Sequence, residues 1–214
     1  MDSYLYLGKA IIVVAEFIAA ITGIVHFKRM KSQVWKLFVY YLVFIFLQEF
    51  YFFFNDNLLS IRKPIYYAFI GMPVQILFFY WLIAFNSLKK KYLFYLFLLV
   101  YLVSIPFEYF LKEIEIVFSF SFTVGTLLLS FLIVLEFVKQ IRSDEILYFK
   151  ENKMFYVMVG IIFTYIGTYP YIAFHKELYM NHFKIWSIYH IYFVISNAAM
   201  YLLFAISFIW TRQS

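Results

Sequence analysis

Seven long apolar runs follow one another almost without a break, separated only by short charged loops. A helix rises 1.5 Å per residue, so about 20 apolar residues cross a ~30 Å hydrocarbon layer. Residues 4–27, 34–54, 64–85, 92–111, 116–138, 154–174 and 185–210 each reach or approach that length. The fourth run is the least regular, with Pro106 and Glu108 near one end. Lipid offers no water to backbone N–H and C=O groups, so such runs must satisfy them internally as helices. The expected fold class is all-α: a polytopic membrane protein, a seven-transmembrane-helix bundle making one domain over residues 1–214.

Composition agrees with that solvent. Hydrophobic residues make up 65% of the chain and aromatics 26%, more apolar surface than a soluble exterior can hide. The net charge of +6 would raise a nucleic-acid partner for a soluble domain. Here the bases sit in loops beside apolar runs, so the bilayer, and not nucleic acid, is the expected partner. Cysteine is absent, which excludes disulfides, thiolate catalysis and Cys-ligated zinc. The first run lacks a basic leader and exceeds the ~7–15 residues of a signal core, so it reads as a retained helix.

Counting Lys and Arg by side gives an orientation. Lys28, Arg29, Lys31, Lys36, Lys89, Lys90, Lys91, Lys139, Arg142, Lys150, Lys153 and Arg212 fall on one side of the seven runs. The other side has only Lys9, Arg62, Lys63, Lys112, Lys176 and Lys184. The richer side belongs in the cytoplasm, placing the N-terminus outside and the C-terminus inside a bacterial inner (plasma) membrane. Trp35, Trp81, Trp186 and Trp210 all fall near predicted helix ends, where interfacial belts place tryptophan.

Ionisable and amide groups inside spans are costly to insert and mark candidate sites. Glu16 lies midway along the first run, on a face that continues through Ala19, Ala20 and Gly23 to His26. Small residues let helices approach closely, so this face should point into the bundle. Glu16 is either a proton, cation or ligand contact, or a buried acid satisfied by tyrosine hydroxyls in a chain with 21 tyrosines. In the last run Trp186, His190, Asn197 and Tyr201 share one helical stripe. They line an outward-facing pocket or act as interhelical glue. Gln75 and Thr168 accompany Pro73 and Pro170, which remove backbone donors and kink helices. Glu49, beside Gln48, would contribute to an acidic outer mouth. Glu136 reads as an interfacial residue next to Lys139 and Gln140. The candidate ligand-binding set is therefore Glu16, Glu49, Gln75, Thr168, Trp186, His190, Asn197 and Tyr201.

Catalytic signatures are missing. The chain has no phosphate loop, nucleophile elbow, HExxH or dinucleotide fingerprint. Its four histidines never form a close helical pair, and no lysine sits midway in the last run to hold retinal. No enzyme activity, resident cofactor or metal is expected.

Two stretches carry a resemblance. Residues 150–156 (Lys-Glu-Asn-Lys-Met-Phe-Tyr), together with the series Trp186, His190, Asn197, Tyr201, Phe208 and Trp210, resemble a group of small bacterial seven-helix membrane proteins. The helix from Glu16 to Gly23 followed by a basic loop fits that group too. Genes of the group are often found beside signalling genes such as those for histidine kinases. An acid commonly occupies its third span, where this chain has Gln75. The resemblance implies a sensory or accessory membrane role.

The leading expectation is a non-enzymatic sensor or regulatory subunit. It binds a small ligand or cation in an outward-facing polar cavity and signals to a cytoplasmic or membrane partner. The alternatives are a small-solute transporter of the three-plus-one-plus-three type, as in sugar-efflux and vitamin-uptake carriers, and an ion-conducting or membrane-permeabilising effector acting as a homo-oligomer.

Overall fold

The computed structural model describes residues 2–58, 61–111 and 119–210, and the fold is all-α apart from one tiny hairpin. Helix α1 covers Asp2–His26 and α2 covers Gln33–Phe54. Strands β1 (Asn57–Leu58) and β2 (Ile61–Arg62) pair antiparallel, with Asn57 opposite Arg62. Helix α3 then runs over Lys63–Ser87, α4 over Lys91–Leu111 and α5 over Ser119–Arg142. The chain closes with α6 (Lys153–Ala173), the short α7 (His175–Asn181) and α8 (Phe183–Ile209).

Six of the described helices are long and apolar enough to cross a membrane, and the apolar part of α4, Lys91–Phe107, is shorter. Their outward faces carry bare aliphatic and aromatic groups: Leu7, Val14 and Val25 on α1 are 59%, 57% and 68% exposed. Apolar surface so continuous is stable in lipid and not in water. The chain is thus a multi-pass membrane protein.

Contacts group the chain into two compact units, Met1–Asn55 with Asp144–Ser214, and Asp56–Ser143. In the first, α1 packs on α8 and α2, and α8 packs on α6. The α1 face built from Gly8, Ala15, Ala19, Ala20 and Gly23 is buried, as small residues at a lipid-embedded helix contact should be. A Cβ at Gly23 would come within 3.0 Å of the Val39 side chain, so glycine leaves room for α2 to pack closely here. Asn152 caps α6, its Oδ1 accepting from the Phe155 N–H at 3.3 Å.

In the second unit, α3, α4 and α5 enclose Phe79, Tyr80, Leu82, Tyr101, Leu129 and Leu132. The Tyr80 hydroxyl donates to the Gly125 carbonyl at 2.8 Å. Lys139 on α5 donates to the Ser87 carbonyl and hydroxyl, both at 3.1 Å.

Two prolines within spans, Pro73 and Pro170, lie just after a widened turn, whereas Pro106 sits inside α4 without one and Trp81–Ser87 is π-helical with no proline after it. Tyr67–Gly71 is π-helical ahead of Pro73, and Ile162–Ile166 is π-helical ahead of Pro170. Proline supplies no N–H to the turn before it, and the freed carbonyls accept a wider loop of backbone.

Candidate functional site: a buried acid among tyrosines

Glu16 is 2% exposed, in the middle of α1, where the small-residue face meets α8. The Tyr201 hydroxyl of α8 donates to its carboxyl, and Glu49 of α2 is close enough to interact with it electrostatically. Tyr41 of α2 and Tyr165 of α6 complete the group, each coupled electrostatically to Tyr201. Gln48 donates weakly to Glu49 Oε1 at 3.4 Å. The carboxyl oxygen Oε2 of Glu16 is buried without a hydrogen-bond partner. Such an orphaned acceptor in a packed interior is unusual and needs a physical reason.

Local sequence explains how four helices deliver these groups. Ala15, Ala19 and Ala20 flank the acid and keep the α1 surface thin, so the phenol of Tyr201 can reach it. Tyr165 lies within the π-helical turn Ile162–Ile166, a widening that changes where side chains on that face of α6 point. Gly167, just beyond, lies under the Tyr192 hydroxyl at a spacing no side chain could share.

The other residues singled out in the sequence have definite places. Asn197 is half-buried, one turn before Tyr201 on α8, and its amide donates to the Phe193 carbonyl of the same helix at 2.8 Å. The Tyr201 phenol donates to Glu16, and the Asn197 amide donates within its own helix. Thr168 is fully buried and its hydroxyl donates to the Thr164 carbonyl. Thr164 in turn donates to the Ser196 carbonyl at 3.0 Å and ties α6 to α8. Gln75 belongs to the Asp56–Ser143 unit.

Trp186 and His190 form a second group, an aromatic cluster where α6, α7 and α8 meet. Their rings stack with centroids 5.1 Å apart and planes 8° from parallel. Tyr171 Oη and His190 Nδ1 are hydrogen-bonded at 2.9 Å, and Trp186 Nε1 donates to His175 Nδ1 at 3.4 Å. Burial holds the His175 imidazole below the usual histidine range. The cluster packs α7 onto the bundle.

Tyr41, Tyr165 and Tyr171 carried no mark in the sequence, and His175, which reads there as part of a solvated outer loop with His182 and Glu177, is half-buried against Trp186. With 21 tyrosines, no spacing marks which phenols converge. Glu136, next to Lys139 and Gln140 in sequence, is 0% exposed, accepting from Gln140 Nε2 at 3.1 Å and paired with Lys139 at 3.5 Å. Helix α5 runs one turn beyond residue 138, to Arg142.

No known family model, curated protein or solved structure matches the chain. Among the described residues no group of three or more His, Cys, Asp or Glu is placed to hold a metal ion.

Proposed function

We propose that this membrane protein is a non-enzymatic sensor or regulatory subunit whose ligand is a small cation held by Glu16. The observation that carries this is the buried Glu16 carboxyl, with Tyr201 on it, Oε2 lacking a donor and a second acid, Glu49, in range. A buried carboxyl with a half-buried one in range attracts one positive charge, which a proton or a monovalent cation supplies. The phenols of Tyr41, Tyr165 and Tyr201 add oxygens on the helices α2, α6 and α8. A cation gathered there favours one packing of four helices over another, which is how occupancy passes to a partner.

The seven-span count, the outside N-terminus and the inner-membrane location belong to the same proposal, as does the resemblance to the small bacterial seven-helix group. Under that orientation α1 and α8 both run inward, and the basic loops face a cytoplasmic partner. A three-plus-one-plus-three carrier would be expected to group its first three spans and its last three. The grouping of α1 and α2 with α6 and α8, leaving α3 to α5 together, favours the sensor over that carrier.

The test is purified protein in nanodiscs titrated with lithium, sodium, potassium and choline chlorides at constant ionic strength, with thermal unfolding as the readout. One cation should raise Tm in a saturable way that Glu16→Gln abolishes. Equal responses to all four salts, or an unchanged response in Glu16→Gln, would defeat the proposal. Uptake of labelled cation into proteoliposomes without a partner would make the protein a carrier instead.

A further inference from the structure

A cavity of about 540 Å³ opens inside the Asp56–Ser143 unit, at the start of α3. Its position matters as much as its size, which lies within the ~300–1,000 Å³ typical of small-ligand sites. Arg62 and Lys63 border one end, where the hairpin gives way to the span beginning at Lys63. Further along, the lining is Tyr67, Ala68 and Met72 from α3, with Tyr101 and Phe122 facing from α4 and α5. Met72 is nine residues past Lys63, or about 13 Å down the helix at 1.5 Å per residue. The hollow is therefore charged at the end of a span and apolar along it, the same gradient that a lipid molecule follows.

The backbone explains why there is space. Tyr67 and Ala68 lie in the π-helical turn Tyr67–Gly71, which widens α3 where Ala68 offers only a methyl group. Ser121 is a similarly small contributor from α5. Among the described residues the charged end holds two cations, Arg62 and Lys63, and one acid, Asp56, a positive balance. Lys63 Nζ lies 5.7 Å from the Tyr67 ring centroid, so its ammonium leans toward the apolar wall.

We infer that this cavity binds an amphiphile with a single acyl chain and one anionic head. The head, a carboxylate or a phosphate monoester, meets Arg62 and Lys63. The chain lies against Tyr67, Ala68, Met72 and Phe122. A neutral amphiphile gains the apolar contacts alone, and a short polar anion gains the charges alone. The site is separate from the residues proposed to hold a cation, and neither proposal depends on the other.

Native mass spectrometry of the full chain released from phosphatidylcholine nanodiscs tests this, with oleate, oleoyl lysophosphatidate and oleyl alcohol as probes. Wild type should retain one equivalent of an anionic probe and at least ten-fold less oleyl alcohol. Preference between oleate and lysophosphatidate tells a free fatty acid from a phospholipid-derived ligand. The double variant Arg62→Gln/Lys63→Gln should lose at least ten-fold in affinity for the anionic probes. Ala68→Phe should fill the cavity and abolish retention, with thermal unfolding checking that each variant folds. Equal retention of oleate and oleyl alcohol, or wild-type retention by a folded Ala68→Phe or Arg62→Gln/Lys63→Gln protein, overturns the inference.

Discussion

The Tyr201 hydroxyl donates to the Glu16 carboxyl, joining α8 to α1 through the most deeply placed acid of the first unit. Removing the phenol oxygen leaves a buried carboxyl without that donor. Tyr201→Phe should therefore destabilise the protein by about 1–3 kcal/mol. Glu16→Gln keeps an acceptor and removes the buried acid, so its effect should stay within about 1 kcal/mol. In the double variant the Tyr201→Phe penalty should shrink. Reversible unfolding in mixed micelles, arranged as a double-mutant cycle, measures the coupling.

Gly167 should tolerate no side chain. A Cβ there would collide with the Tyr192 hydroxyl and come within 2.5 Å of the Phe163 carbonyl oxygen. Gly167→Ala should cost about 1–3 kcal/mol through overpacking. Adding Tyr192→Phe should recover part of that loss, because it removes the nearest obstructing atom. Unfolding midpoints of the single and double variants provide the comparison.

For the buried pair in the second unit, two changes should cost less than one. Glu136 and Gln140 are both 0% exposed and bonded at 3.1 Å, while Glu136 Oε2 and Gln140 Oε1 are buried without partners. Gln140→Leu alone strips a donor from a buried carboxyl and should destabilise by about 1–3 kcal/mol. Glu136→Leu/Gln140→Leu together should be less damaging than Gln140→Leu, because neither polar group remains to be desolvated. Lys139→Ala should have a smaller effect, since its side chain is 38% exposed and its ion pair is correspondingly screened.

Mild acid should loosen the cluster around α7. Burial lowers the pKa of His175 from its ordinary 6.5, so between those two values the unfolded chain binds a proton that the folded chain refuses. The stability is complete above pH 6.5 and is lost as pH falls through the window just beneath it. The slope there is at most about 1.4 kcal/mol per pH unit for one proton. Trp186 donates to His175, Tyr171 lies edge-on to it, and His190 is its charged-capable neighbour, with Lys9 near His190. His175→Gln should flatten the decline in Tm between pH 7.5 and 5.

Much of the architecture was legible because lipid imposes one requirement, a helix of fixed length, on every crossing. The runs at 34–54 and 92–111 nearly coincide with α2 and α4. Glu16 and Tyr201 stood out for a similar reason: an acid on a small-residue face and a phenol on a polar stripe are each rare in a span. What was not legible is which stripe meets which. Asn197, on the same stripe as Tyr201, donates to the Phe193 carbonyl one turn back, a local bond that a stripe pattern does not reveal. Tyr41 and Tyr165 were hidden among other tyrosines, and Tyr165 depends on a π-helical turn that no hydropathy pattern reports. The grouping of helices into two units arises from long-range contacts that local periodicity does not encode.

The acid of α1 and the phenol of α8 stand 185 positions apart (201 − 16). At the ~5–20 residues per second of synthesis, roughly 10 to 40 s pass before Tyr201 is made after Glu16. During that interval a carboxyl group threaded into a nascent membrane segment has no native donor from the far end of the chain. Until α8 is complete the wild type carries that uncompensated acid and Glu16→Gln does not, so slowed insertion should hurt the wild type more.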